Sequence, residues 1–182
     1  MNLLNTLETK RLRLKQFNPD NFEAFSYIFE DVDVSNNLKY VLNNKPEHDK
    51  NNLFRMILDS NTSKHPLLTL AISTKFEDEI IGSCGLITQE NGKDAEIFYT
   101  LLPRYRGYGY AIEAMKKLIE FAFIRLNLTK LMIFLHPNNS KAWRVAERVG
   151  MKYLGQREIS TLSSKAMFFS IEKAEFDAQS YY

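Results

Sequence analysis

A cation, two glycines and the start of an apolar helical pattern follow one another in Arg106-Gly107-Tyr108-Gly109-Tyr110-Ala111. The combination suits an anion. A helix N-terminus carries unpaired N–H groups and the positive end of the helix dipole, and glycine lets a phosphate reach them with no Cβ in the way. Arg106 adds a cationic donor. Two glycines also shape a plain strand-to-helix turn, so spacing alone leaves both readings open. The turn differs from two other phosphate loops: no Gly-Lys-Ser/Thr follows to hold a nucleoside triphosphate, and the next strand offers no clear acidic partner for a dinucleotide ribose.

Other reactive side chains are sparse. The single cysteine, Cys84, forbids an internal disulfide and lies in Ile80-Ile81-Gly82-Ser83-Cys84-Gly85, which reads as a strand interior. A thiol there packs as a small apolar group rather than serving as a nucleophile. His48, His65 and His136 show no metal-ligand spacing with one another or with Cys84, and no bound metal is expected.

The elements that must position the turn are legible from periodicity. Leu12 and Leu14 alternate with Arg11, Arg13 and Lys15, which predicts a half-buried first strand within Leu7 to Phe17. Asn18-Pro19-Asp20 starts a first helix that ends near Asp31, and a second helix carries Leu53, Phe54, Ile57 and Leu58. Asp33 to Asn44 reads as a loop with a helical turn. After His65-Pro66, the segments Leu67 to Ser73, Glu79 to Ile87 and Ala95 to Leu102 read as consecutive antiparallel strands. Tyr110 to Leu126 then places Ile112, Met115, Leu118, Ile119, Ala122 and Phe123 on one helical face, with Glu113 four residues before Lys117. Leu131 to Leu135 is a buried-type strand, Ser140 to Arg148 a short helix closed by Gly150, and Tyr153 to Ile159 and Met167 to Glu172 the last strands. The strand–helix–strand unit from Ala95 to Leu135 requires a parallel pair inside a mostly antiparallel sheet, a mixed α+β architecture.

The chain has 182 residues, with thirteen Phe and nine Tyr among many Leu and Ile, enough to bury one sizeable core. A single domain over 1–182 is expected, with no internal repeat. Its formal charge of +2 from 24 basic and 22 acidic residues is too balanced for a nucleic-acid partner. Neither a secretory signal nor a stretch of transmembrane length is read, which predicts a soluble, cytoplasmic protein with no membrane partner.

The turn follows a strand containing Ala95-Glu96-Ile97 and opens an amphipathic helix. In that context it resembles the acetyl-CoA signature of the GNAT superfamily, Gln/Arg-x-x-Gly-x-Gly/Ala, at Arg106, Gly109 and Ala111. Downstream, His136-Pro137-Asn138-Asn139 followed by Ala142, Arg144, Glu147 and Gly150-Met151 is similar to that family's Asn-x-x-Ser/Ala…Gly-Phe segment, with Asn139 in the Asn position. The opening Leu7-Glu8-Thr9-Lys10-Arg11-Leu12-Arg13-Leu14 resembles the branch that includes ribosomal-protein N-terminal acetyltransferases and many small-amine acetyltransferases, so the likeness spans nearly the whole chain.

The resemblance implies a central sheet of about seven strands flanked by helices, its parallel pair splayed at the cofactor site. It implies acetyl-CoA as cosubstrate on Arg106, Gly107, Tyr108, Gly109, Tyr110 and Ala111, the Leu101 and Leu102 backbone facing pantetheine and thioester, and the Asn139 amide bonding the pantetheine arm. Direct transfer to a primary amine, a protein N-terminus or a small molecule, then needs no covalent enzyme intermediate; a backbone N–H near Leu101 would stabilise the oxyanion. Glu96 is similar in position to the base of the histone-acetylating members. An alkylamine must lose a proton to attack, and a half-buried carboxylate can take it or hold the water that relays it. Glu96→Gln is then expected to lower the rate most at low pH, where free amine is scarcest.

The general acid stays unassigned. Many members carry Tyr where this chain has Ala146, some relatives carry Ser where it has Ala142, and Tyr99, Tyr105, Tyr108 and Tyr110 are candidates in type alone. The acceptor pocket is expected between Phe25 to Tyr40 and the strand ends near Glu96 and His136, in a monomer or homodimer. A non-catalytic acyl-CoA-binding or regulatory domain is the alternative that the missing tyrosine keeps in view.

Overall fold

Period-two alternation builds the sheet, and the period-3.6 segments cover it. The structure, a computed structural model, describes residues 6–30, 50–60, 67–159 and 164–179. Its strands are β1 (Leu7–Glu8), β2 (Leu12–Gln16), β3 (Leu67–Thr74), β4 (Ile80–Thr88), β5 (Asp94–Leu101), β6 (Lys130–Leu135), β7 (Lys152–Ile159) and β8 (Ser164–Glu172). The described helices are α1 (Phe22–Glu30), α2 (Lys50–Ser60), α3 (Tyr110–Ile124), α4 (Ser140–Arg148) and α5 (Lys173–Gln179). The strands form one sheet in the order β1-β2-β3-β4-β5-β6-β8-β7. This is the mixed α+β fold expected, with eight described strands where the sequence reading had about seven.

The extra strand comes from the N-terminus. Leu7 to Phe17 is a hairpin rather than one strand, because Leu7 and Glu8 fold back to pair with Leu14 and Arg13. Thr9 makes the turn: its N–H donates to Leu12 O (3.0 Å), and its hydroxyl accepts the Leu12 N–H (2.8 Å). At the other end, α5 was not read from the sequence; Phe176 seats it on Phe123, ring centroids 5.3 Å apart. Asp33 to Asn44, His48, His65-Pro66 and Tyr40 lie outside the described residues.

Alternation sorts the sheet into two faces. Leu70, Ile72, Cys84, Leu86, Ala95, Ile97, Leu101, Leu131, Ile133, Phe169 and Ile171 pack on the side of α3, where Met115, Leu118, Ile119, Ala122 and Phe123 are buried. Each such Leu, Ile or Phe removed from water contributes roughly 1.5–3 kcal/mol, so this stripe fixes α3 against the sheet centre. The other face meets α1 and α2 through Phe17, Phe25, Leu53, Phe54, Ile57, Ala71 and Phe98.

Between these layers runs the one parallel pair among the described strands. It is short: Asp94, Ala95 and Glu96 stand beside Lys130, Leu131 and Met132. Beyond Glu96, β5 stays in register with β4 as far as Leu101, while β6 stays in register with β8 as far as Leu135. The two strands therefore part, and a parallel sheet that opens in this way leaves backbone groups on both lips unpaired within the sheet.

Candidate active site

The turn after β5 is built to leave donors exposed. Ser, Thr, Asp and Asn are favoured at a helix start because the side chain satisfies a first-turn N–H, which glycine cannot do. Here α3 starts on Gly109, which has φ 82° and no side-chain cap. The first helical bond is Glu113 N–H to Gly109 O (3.1 Å), which leaves the N–H groups of Tyr110, Ala111 and Ile112 with no intrahelical acceptor. Gly107 also has a positive φ of 89°, and a Cβ built there would meet nothing within 4 Å. Space, donors and the helix dipole thus coincide, as a phosphate requires.

Several side chains fasten this turn. Arg104 and the Tyr105 hydroxyl both donate to the Glu79 carboxylate at the foot of β4. Arg106 is not a loose cation: its Nε donates to Leu101 O (2.8 Å), which holds the positive charge at the end of β5. On the opposite side, Glu113 receives the Thr9 hydroxyl (2.6 Å), the Arg11 backbone N–H (2.7 Å) and Arg11 Nε (2.7 Å). Partial burial would raise the Glu113 carboxyl, but the bonds from Thr9 and Arg11 and the Arg11 charge outweigh it and hold the group below the usual range. The sequence reading placed Glu113 opposite Lys117 on its own helix. Lys117 instead pairs with Glu120 (2.9 Å), because the hairpin presents three better donors to Glu113.

The lip of β5 follows from its pairing with β4. Leu102 N–H donates to Ile81 O (2.9 Å), so its amide belongs to the sheet. Alternation then turns the backbone of Phe98 and Thr100 toward β4, and that of Ile97, Tyr99 and Leu101 toward the opening beside β6. Leu101 O, bonded to Arg106, faces that way. Leu101 and Leu102 side chains are buried.

Glu96 stands at the last paired position before the strands part, beside Met132. It lies on the face of Phe98, opposite the Ala95 and Ile97 layer. It is half-buried, and burial alone pushes its carboxyl up to about 7. None of the ion pairs among the described residues involves it. By the same alternation Met132, Phe134 and Phe168 share its face, with the Phe134 and Phe168 rings stacked at 5.0 Å and Arg157 5.4 Å above Phe168. These half-buried apolar side chains were not singled out from the sequence; the signal was the even-numbered half of β6 and β8, unused by the main core.

On the other lip, Asn139 caps α4, its Oδ1 accepting the Ala142 N–H (3.1 Å). His136 is exposed at the end of β6, where Nδ1 accepts the Asn138 N–H (3.1 Å) and Asn139 N–H bonds its carbonyl (2.9 Å). Ala142 and Ala146 are buried in the core, so α4 brings no hydroxyl to those positions. Among the four tyrosines, Tyr105 is held by Glu79, Tyr108 is exposed, Tyr110 lies under Arg11 with its centroid 4.5 Å from the guanidinium, and Tyr99 is half-buried. Desolvation raises the Tyr99 hydroxyl, against a smaller lowering by the nearby Arg106 charge. Cys84 is fully buried and its thiol is pushed up to about 12 by desolvation, which suits packing rather than chemistry. No group of three or more His, Cys, Asp and Glu that could hold a metal occurs among the described residues. None of the described helices is long and apolar enough to cross a membrane.

Comparison with known proteins meets this geometry. The model of the acetyltransferase (GNAT) domain matches residues 11–152. The uncharacterized N-acetyltransferase p20 of Bacillus licheniformis is 31% identical over 156 residues, covering 84% of this chain and 85% of the relative. Among solved structures, a GNAT-family acetyltransferase from Bacillus anthracis superposes with a TM-score of 0.78 at 18% identity, covering 93% of this chain and 99% of its own. A variant of the spermidine N-acetyltransferase SpeG from Vibrio cholerae gives 0.77 at 17%, covering 94% and 99%. Enzymes of this family use acetyl-CoA. A family model spanning most of the chain, a curated relative above 30% identity and the splayed pair beside an uncapped helix lead to one assignment: the chain belongs to the GNAT acetyltransferase family and is an acyltransferase.

Proposed function

We propose that the chain moves an acetyl group from acetyl-CoA to a primary amine by direct attack, with Glu96 receiving the amine proton. The observation that carries this reading is the position and state of Glu96. It is the last paired residue before the strands part, with its carboxyl pushed up to about 7 by burial. A carboxyl of that strength exchanges protons near neutral pH, where a base of ordinary acidity would hold them too weakly. Its placement supports the catalytic reading over the alternative of a domain that only binds acyl-CoA.

Acetyl-CoA supplies the activated acyl thioester. The residues that would hold it are those around the opening. The free N–H groups of Tyr110, Ala111 and Ile112, with the permissive Gly107 and Gly109 and the exposed Tyr108 beside them, would take the diphosphate, and Arg106 would balance its charge. The Ile97, Tyr99 and Leu101 backbone would take the pantetheine arm on one lip and the Asn139 amide on the other. The Leu101 N–H, facing the opening, would stabilise the developing oxyanion. Leu102 would act by shaping the end of β5, since its N–H is held by Ile81 O, its carbonyl accepts the Tyr105 N–H (2.9 Å) and its side chain is buried.

The acceptor would approach from the Glu96 face. Met132, Phe134 and Phe168 make the surface beside Glu96 apolar, which favours an amine borne on an apolar or aromatic body, whether a peptide N-terminus or a small molecule. The test is thiol release from acetyl-CoA over a panel of alkylamines, aralkylamines, polyamines and peptides with varied N-termini. Amine-dependent release led by apolar acceptors supports the reading. Tight CoA binding with no release for any amine contradicts it in favour of a binding domain.

A further inference from the structure

We propose that Arg11 and Glu113 form a charge-balanced latch that sets the Tyr108–Gly109 peptide for the anion, making Arg11 a positioning residue for the cofactor turn. This rests on the reading that a diphosphate occupies that turn. Arg11 reaches the turn from the distant N-terminal hairpin and touches it at three points. One terminal nitrogen donates to Tyr108 O (3.0 Å), Nε donates to Glu113 (2.7 Å), and the guanidinium lies 4.5 Å from the Tyr110 ring centroid. Its other terminal nitrogen is 3.5 Å from where a Cβ on Gly109 would stand. Thr9 completes the latch, its hydroxyl accepting the Leu12 N–H and donating to the Glu113 carboxylate (2.6 Å).

Two physical consequences go beyond holding the fold. A trans peptide carries its C=O and N–H on opposite edges, so the bond from Arg11 to Tyr108 O turns the Gly109 N–H to the other side, toward an anion at the helix end. A flipped peptide would present the carbonyl instead. Glycine at φ 82° makes that flip cheap, which is why an external anchor matters. The second consequence concerns charge. Glu113 sits in the first turn of α3, within about one 5 Å helical rise of the N-terminal donors, where an uncompensated carboxylate would repel a diphosphate. Arg11 neutralises it without occupying the anion's side of the peptide.

The test is calorimetric binding of CoA, with kcat and KM for acetyl-CoA, in the wild type, Arg11→Met, Arg11→Lys and the double variant Arg11→Met/Glu113→Gln. Arg11→Met is expected to weaken CoA binding about tenfold and raise KM by a similar factor, with kcat changed far less, as loss of a charge-assisted contact implies. The double variant recovers part of that loss because the stranded carboxylate is gone, and Arg11→Lys, which keeps the charge, falls between wild type and Arg11→Met. Wild-type affinity in Arg11→Met overturns the latch, as does a double variant that binds no better than the single one. If Arg11→Met does not fold, Arg11→Lys decides by the same criterion: a raised KM with unchanged melting temperature supports the latch, and wild-type KM overturns it. A wild-type protein that binds no CoA overturns the cofactor site itself and the latch with it.

Discussion

Glu96 is one carboxyl whose ionisation the fold resists. Its folded-state value near 7 lies above the ordinary 4.5. The protonated form is therefore favoured by folding, and the sign follows. Stability is fully present below pH 4.5 and is lost as the pH rises through 7, by at most about 3 kcal/mol for a shift of that size. Glu96→Gln keeps the shape without the charge, so it should match the wild type in urea denaturation near pH 4 and exceed it at pH 8. A wild-type advantage at pH 8 would reveal a cation beside Glu96 and remove the basis for its raised pKa. Such a destabilised ionised state, tolerated at one half-buried position, is what a general base near neutrality requires. The residue type and its strand were legible in the sequence. The absence of a counter-ion among the described residues was not, because pairing depends on which long side chains from distant segments arrive there.

At the scale of elements, two glycines show two ways in which the backbone demands the residue, one at the turn and one inside the sheet. Gly109 starts α3 at φ 82°, a conformation that costs an L side chain roughly 1–2 kcal/mol and a β-branched one more. Gly109→Val should lose about that much stability through backbone strain, since its Cβ would stand at an ordinary contact distance of 3.5 Å from an Arg11 terminal nitrogen. Its CoA affinity should fall by far more than that of Lys116→Ala, an exposed change on the same helix; equal affinities in isothermal titration would detach the turn from the cofactor. Gly85 in β4 is fixed by contact instead. A Cβ there would stand 2.1 Å from Leu68 O and 2.4 Å from the Phe98 ring. Backbone cannot yield cheaply inside a paired strand, so Gly85→Ala should cost about 3 kcal/mol in denaturant midpoint analysis without touching the turn. Helix α3, strands β3 to β6 and helix α4 were readable because their apolar spacing is strict. The hairpin at Leu7–Gln16 was not: its turn is made by a threonine hydroxyl standing in for a carbonyl, and no Gly, Pro, Asn or Asp marks the point where the apolar phase shifts from Leu7 to Leu12 and Leu14. Helix α5 escaped for a related reason, since seven residues carry too little period to separate them from the strand they follow.

For the molecule as a whole, function comes from a sheet that is completed on both sides and interrupted in the middle. Strands β1 to β5 form one antiparallel block and β6 to β8 another, joined by only three parallel residue pairs among the described strands. The face of α3 brings the uncapped helix end to the opening, and the opposite face brings Glu96 with Met132, Phe134 and Phe168. The proposed cofactor side was legible because the turn that carries it lies in one contiguous stretch. The proposed acceptor side draws on β5, β6 and β8, whose residues only sheet order and register bring together. The central claim is that Glu96 takes the amine proton on that second face, and the most direct measurement is kcat/KM against pH for wild type and Glu96→Gln with the best acceptor from the panel. The wild-type profile should level off above an apparent pKa near 7. Glu96→Gln should keep rising toward the amine's own pKa of about 10, with a deficit of roughly a hundredfold at pH 7 and below that closes at high pH. Superimposable profiles, with no bend near 7 peculiar to the wild type, would contradict the account.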